Sequence, residues 1–82
     1  MNEVLIFASR DSRTWATAQQ LAAEAGVRLV DRLSSDLEDL LLLAEYGVVE
    51  PFVVIARCES GIVARVPRMV SATELAELMQ LG

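Results

Sequence analysis

The sequence predicts a single α/β domain over residues 1–82, of order β-α-β-α-β-β-α. A mixed four-stranded sheet holds the second, first, third and fourth strands side by side, with three helices flanking it. Three observations carry that expectation. Two continuous apolar runs, "VLIFA" (Val4–Ala8) and "PFVVIA" (Pro51–Ala56), have the composition of strands buried on both faces, which belong in the middle of a sheet. Two stretches that interleave apolar and charged residues, "VRLVDRL" (Val27–Leu33) and "IVARVP" (Ile62–Pro67), suit strands that are partly solvated and lie outside. The remaining segments repeat apolar residues every three or four positions behind Ser or Asp, and two of them stop at glycine, as capped helices do.

In chain order, Val4–Ala8 is the first central strand. A helix from about Arg13 to Ala25 follows, with Trp15, Ala18, Ala22 and Ala25 on its inner face, Asp11 or Ser12 as N-cap and Gly26 as a left-handed C-cap. Val27–Leu33 then forms an edge strand with Arg28 and Arg32 on one side. "SDLE" (Ser35–Glu38) reads as a capping box opening a helix that turns Leu37, Leu40, Leu41 and Ala44 toward the sheet and ends at Gly47. Successive helical residues rotate by about 100°, so this phase sends Leu42 outward and Leu43 to the flank. With Tyr46 they form a candidate contact surface for a homodimer or another protein. Pro51–Ala56 is the third strand, and the polar loop "RCESG" leads into a hairpin partner with Ile62, Ala64 and Val66 on one face and Arg65 on the other. "SATE" (Ser71–Glu74) opens the last helix as a capping box, with Leu75, Leu78 and Met79 inward. The first two strands are parallel and joined by a right-handed helical crossover.

Composition narrows the function. Twelve acidic residues against seven arginines, with no lysine or histidine, give a net charge of −5 and a pI near 4.5. Together with only four aromatic residues, this argues against a nucleic-acid groove or an anionic membrane surface as partner. One cysteine and no histidine leave no intramolecular disulfide and no metal-ligand set. The amino-terminal "MNEV" lacks a basic leader, and no apolar run reaches the roughly 18–20 residues that span a bilayer, so the cytoplasm is the expected compartment. Hydrophobic residues make up 54% of the chain and the mean hydropathy is +0.41. In a domain this small, that leaves apolar surface for a partner.

The element order from Val4 to Leu81 resembles the thioredoxin fold in its small, glutaredoxin-like form. Most specific is "GVVEPFVVIARCESGIVARVPRMVSATELAELM", Gly47–Met79, with a proline opening the third strand, a hairpin and a capped last helix. The resemblance implies a cis Glu50–Pro51 bond, with a trans proline that merely starts a strand as the alternative. It also implies a functional loop after the first strand, where relatives carry Cys-x-x-Cys. In "IFASRDSRTWATAQQL" Ser12 and Trp15 stand at the two cysteine positions. A serine hydroxyl does not cycle through a disulfide, and the chain has no histidine to act as its base. Cys58 is placed about 20 Å from Ser12 along the third strand, an isolated thiol in the hairpin loop.

What the resemblance then implies is a redox-inactive, non-catalytic module that binds a protein or peptide. Candidate binding residues are Arg10, Ser12, Arg13, Trp15, Glu50, Pro51 and Ser71, with no metal and no cofactor. Trp15 is read first as a packing anchor and second as a hot spot for a bound peptide, which would add as a strand beside Pro51. The alternative is a glutathione- or small-anion-binding relative, using the N–H groups and dipole at the helix start with Arg10 and Arg13, and the Ser71 end of the last helix.

Overall fold

A computed structural model describes residues 2–81 and contains β1 (Glu3–Ala8), α1 (Trp15–Ala25), β2 (Arg28–Asp31), α2 (Leu37–Tyr46), β3 (Phe52–Cys58), β4 (Gly61–Val66) and α3 (Ala72–Gln80). The sheet order is β2-β1-β3-β4. β1 and β2 are parallel, whereas β1 with β3 and β3 with β4 are antiparallel. This is the expected topology and strand order. No helix among the described residues is long and apolar enough to cross a membrane.

The two continuous apolar runs lie at the centre because each of their faces is covered. Alternation sends Val4, Ile6 and Ala8 of β1 and Phe52, Val54 and Ala56 of β3 to one side, where Ala18, Leu21 and Ala22 of α1 and Leu75 of α3 pack on them. Leu5 and Phe7 of β1 and Val53 and Ile55 of β3 face the other side, with Val30 of β2 and Val48. Period-two alternation with both faces apolar is what produces an unbroken hydrophobic run. Asn2 locks the start of β1 to the end of α3: its side-chain amide donates to the carbonyls of Leu78 (2.9 Å) and Leu81 (2.6 Å).

The caps at Gly26, Gly47 and Ser71 stand as expected. Gly26 and Gly47 take left-handed conformations, with φ of 67° and 56°, and the α3 capping box has both of its reciprocal bonds. The other two helix starts differ. α1 begins at Trp15 with Thr14 as a cap residue whose side chain makes no capping bond; Ser12, an expected cap, is held in the preceding loop. α2 is capped by Asp36, which accepts from the Glu38 N–H at 2.8 Å. Ser34, not Ser35, supports that turn by accepting from the Asp36 N–H at 3.0 Å.

The largest departure is the phase of α2. Leu42, Leu43 and Tyr46 pack against the core, and Leu37, Leu40 and Leu41 are 70%, 46% and 61% exposed. A run of four leucines carries no phase of its own, so the ends decide. Tyr46 sets its ring edge-on to Phe7 with centroids 6.1 Å apart, and Arg57 lies over that ring at 5.5 Å. At the other end Arg28 of β2 reaches Asp39 at 2.7 Å and Glu38 at 3.3 Å.

The hairpin also differs from expectation. β3 runs on through Cys58, which pairs with Gly61, so Cys58 ends a strand and only Glu59 and Ser60 form the turn. A β-bulge between Ala56 and Arg57 places Ile62 opposite Arg57, while Ala64 pairs with Ala56. The extra residue breaks the alternation, so Ile62 does not share the inward face of Ala64 and Val66. Ile62 and Val63 are exposed instead.

Candidate functional site

The candidate loop, residues 9–14, leaves the buried end of β1. Ala8 is paired with Phe52, so the loop and Pro51 share one end of the sheet. Within the loop, a turn closes from the Ser12 N–H to the Ser9 carbonyl at 2.9 Å. The Ser12 hydroxyl donates to the same carbonyl at 2.7 Å and lies 3.0 Å from Thr14 Oγ1. Ser9 is buried and its hydroxyl donates to Asp11 Oδ1 at 2.5 Å. The Ser12 hydroxyl is therefore spent on local turn geometry.

Several other candidates are also engaged. Arg10 is drawn to the end of β2: its guanidinium lies 3.5 Å from Asp31 Oδ2 and donates to the Leu33 carbonyl at 3.4 Å. Asp31 additionally accepts from the Leu33 N–H at 2.9 Å. Trp15 is half-buried and packs against the cluster beneath α1 and α3. Arg13 is exposed and makes no ion pair among the described residues.

Glu50 and Pro51 do not form the expected cis element: no cis peptide bond occurs among the described residues. Pro51 is exposed, so no packing offsets the roughly 0.5–1 kcal/mol that favours trans at an X–Pro bond. Glu50 is clamped by Arg65 of β4, whose Nη2 lies 2.7 Å from Oε1 and 3.1 Å from Oε2. That same arginine donates to the Tyr46 carbonyl at 2.9 Å. The Arg65 hydrogen bonds hold the Glu50 carboxyl below the usual carboxylate range, so the residue braces the α2–β3 connection with β4.

Ser71 is consumed by its own cap. Its hydroxyl accepts from the Glu74 N–H at 3.1 Å, and the Glu74 carboxylate accepts from the Ser71 N–H at 3.3 Å while pairing with Arg68 at 2.7 Å. Hydrogen bonding to Arg68 keeps Glu74 depressed as well. Ser71 shares a groove of about 240 Å³ with Thr17, Gln20 and Glu24 of α1, and Ser12 does not line it. The structure therefore brings Ser12, Arg13, Trp15 and Pro51 to one end of the sheet, but it does not gather Ser12 and Ser71 into one pocket.

Cys58 lies at the opposite end. Glu3 pairs with Arg57, so Cys58 follows the residue that faces the start of β1, about 20 Å from the Ser12 end at 3.3 Å per residue. It lines an open depression of about 660 Å³ with Glu3, Arg57, Glu59 and Ser60. Its Sγ is 3.0 Å from Ser60 Oγ, and this contact, with the Ser60 N–H, lowers the thiol's pKa.

The contact-surface candidates are corrected by the helix phase. Leu42, Leu43 and Tyr46 are half-buried against the sheet, and the Tyr46 hydroxyl accepts from the Arg57 guanidinium. The outward residues are Leu37, Leu40, Leu41 and Ala44, which recur at the three- and four-residue spacing of one helix face.

No protein-family model and no curated protein matches this chain. A solved structure described only as that of a malarial protein is similar in fold, with a TM-score of 0.64 and 20% sequence identity over 98% of this chain and 94% of that one.

Proposed function

We propose that this chain is a thioredoxin-like module without redox chemistry that works by binding a protein or peptide. One observation carries this reading: no sulfur stands at the β1–α1 junction, and the single cysteine ends β3 at the far end of the sheet. A dithiol cycle needs two thiols within bonding distance of each other or of a substrate disulfide at an activated helix start. Here the junction offers a serine whose hydroxyl is already bonded to the Ser9 carbonyl and no histidine base. Exposed apolar side chains on α2 and β4 support binding as the remaining use.

A glutathione- or small-anion-binding reading is favoured by one detail. The start of α1 has no side-chain cap at Thr14, and Arg13 beside it is exposed. Against it, the start of α3 is filled by the carboxylate of Glu74, which an incoming glutathione carboxylate would have to displace. Insulin reduction and a glutathione titration of the isotope-labelled protein separate the readings. The binding module predicts no turnover and no movement of amides at Ser12 or Ser71. Shifts at both would favour glutathione, and turnover like that of a dithiol thioredoxin would overturn both readings.

A further inference from the structure

We propose that the outward face of α2 is the docking surface, and that its occupant is a basic amphipathic helix presenting apolar anchors between arginines or lysines. This rests on the reading of the chain as an interaction module and assigns the surface and the chemistry of the partner.

The surface is apolar at its centre. Leu37, Leu40, Leu41 and Ala44 follow i, i+3, i+4, i+7 spacing and are all exposed, which is the pattern a helix uses to bury a face. Here the sheet-facing side of the same helix is already supplied by Leu42, Leu43 and Tyr46. The outward leucines therefore add nothing to this domain's own core. Second-helix docking on such anchors is a recurrent mode of peptide recognition.

Charge selects the occupant. Residues 36–50 contain five acidic residues, Asp36, Glu38, Asp39, Glu45 and Glu50, and no basic one. The whole chain has twelve acids and seven arginines; removing those five leaves seven against seven, so the entire net charge of −5 is carried by this segment. The arginines that pair with it, Arg28, Arg57 and Arg65, come from strands rather than from the helix. Asp36, Glu38 and Glu45 remain exposed along the leucines; with Glu38 paired to Arg28, Glu45 to Arg57 and Glu50 to Arg65, five acids against three arginines leave this surface acidic by two charges. A second copy of the chain would bring the same acidic rim against this one, so like charges disfavour a symmetric pairing of α2 with itself. A basic helix gains attraction at the rim, where charge governs partner choice and association rate.

The test uses the full labelled chain and two synthetic helical peptides with the same leucine stripe, one flanked by arginines and one by glutamates. The arginine peptide is expected to shift amides from Leu37 to Glu45 and to bind at least about tenfold more tightly than its counterpart at low salt, the gap narrowing as salt screens the rim. Leu41→Ser should weaken that binding about tenfold while changing stability by no more than about 0.5 kcal/mol, because Leu41 is 61% exposed. Equal affinity for the two peptides, or no shift in α2 with either, would overturn the proposal. So would shifts confined to Ser9–Trp15 and Pro51, although the interaction-module reading would then stand with a different surface. A dimer by sedimentation that Leu41→Ser dissolves would replace the basic helix with a second copy. Redox turnover is the separate outcome that would remove the module reading itself.

Discussion

The two faces of the sheet are built differently. Beneath α1 and α3, each helix commits buried side chains to the core: Ala18, Leu21 and Ala22 from one and Leu75 from the other. Beneath α2 the strands are as well buried, with Leu5, Phe7, Val30, Val53 and Ile55 at 0–1% exposure, yet the helix itself contributes no fully buried residue. It is held by half-buried contacts and by ion pairs from Arg28 and Arg57, which are partly exposed and individually weak. The first face is a core shared by two helices. The second is a lid whose apolar content is divided between its two sides, and such elements open at lower free energy than the core they cover.

Truncation on the two faces should expose that difference. Leu75→Ala, at a site with no exposure, is expected to cost about 2–5 kcal/mol from lost burial and the cavity left behind. Leu42→Ala on the inner side of α2, half-buried, should cost about 1–2 kcal/mol by the same reasoning with less area lost. Urea unfolding of the two variants gives the ratio, and equal costs would break the contrast. A substitution on the outer side, Leu41→Ser, should stay within about 0.5 kcal/mol of the parent.

The two helix starts beneath the first face offer a finer comparison. Ser71→Ala removes a cap with both reciprocal bonds present and should cost about 1 kcal/mol. Thr14→Ala removes a cap residue that makes no such bond, and its effect on thermal melting should be only a few tenths of a kcal/mol.

The smallest expected effect is one of pH. Arg65 and Arg68 depress the carboxyls of Glu50 and Glu74 by hydrogen bonding. Their stabilisation is complete above the unfolded glutamate value of about 4.3 and is lost as pH falls through the lower folded values. The parent should therefore melt slightly higher than a Glu50→Gln, Glu74→Gln double variant at neutral pH. The gap should close on acidification below about pH 4, and with added salt because both sites are exposed. A gap that persists at low pH would mean the glutamates act by packing.

Much of the architecture was legible because it rests on strong local signals. Unbroken apolar runs at Val4–Ala8 and Pro51–Ala56 mark strands covered on both sides, and Gly26, Gly47 and Ser71 mark helix ends by the conformations and bonds they supply cheaply. The phase of α2 was not legible. In Leu40–Leu43 every rotation of the helix buries leucine, so the choice falls to long-range partners: Phe7 and Arg57 for Tyr46, and Arg28 for Asp39. The bulge at Ala56–Arg57, which turns Ile62 out of register, likewise leaves no mark in the alternating pattern. At the loop, the absence of cysteine could be read directly, but the turn that commits Ser12 to Ser9 leaves no pattern in the sequence, and the pairing of Glu50 with Arg65 depends on elements that only the fold brings together. Asp31, which secures Arg10, and Asn2, which ties β1 to α3, were missed for the same reason.

Which leucines of α2 face solvent decides whether the helix carries an apolar docking face. Leucine methyl resonances recorded with a soluble paramagnetic agent test this directly. Leu37, Leu40 and Leu41 should be strongly broadened, and Leu42 and Leu43 should be protected. Protection of Leu37, Leu40 and Leu41 with broadening of Leu42 would contradict the helix phase, and the acidic docking face with it.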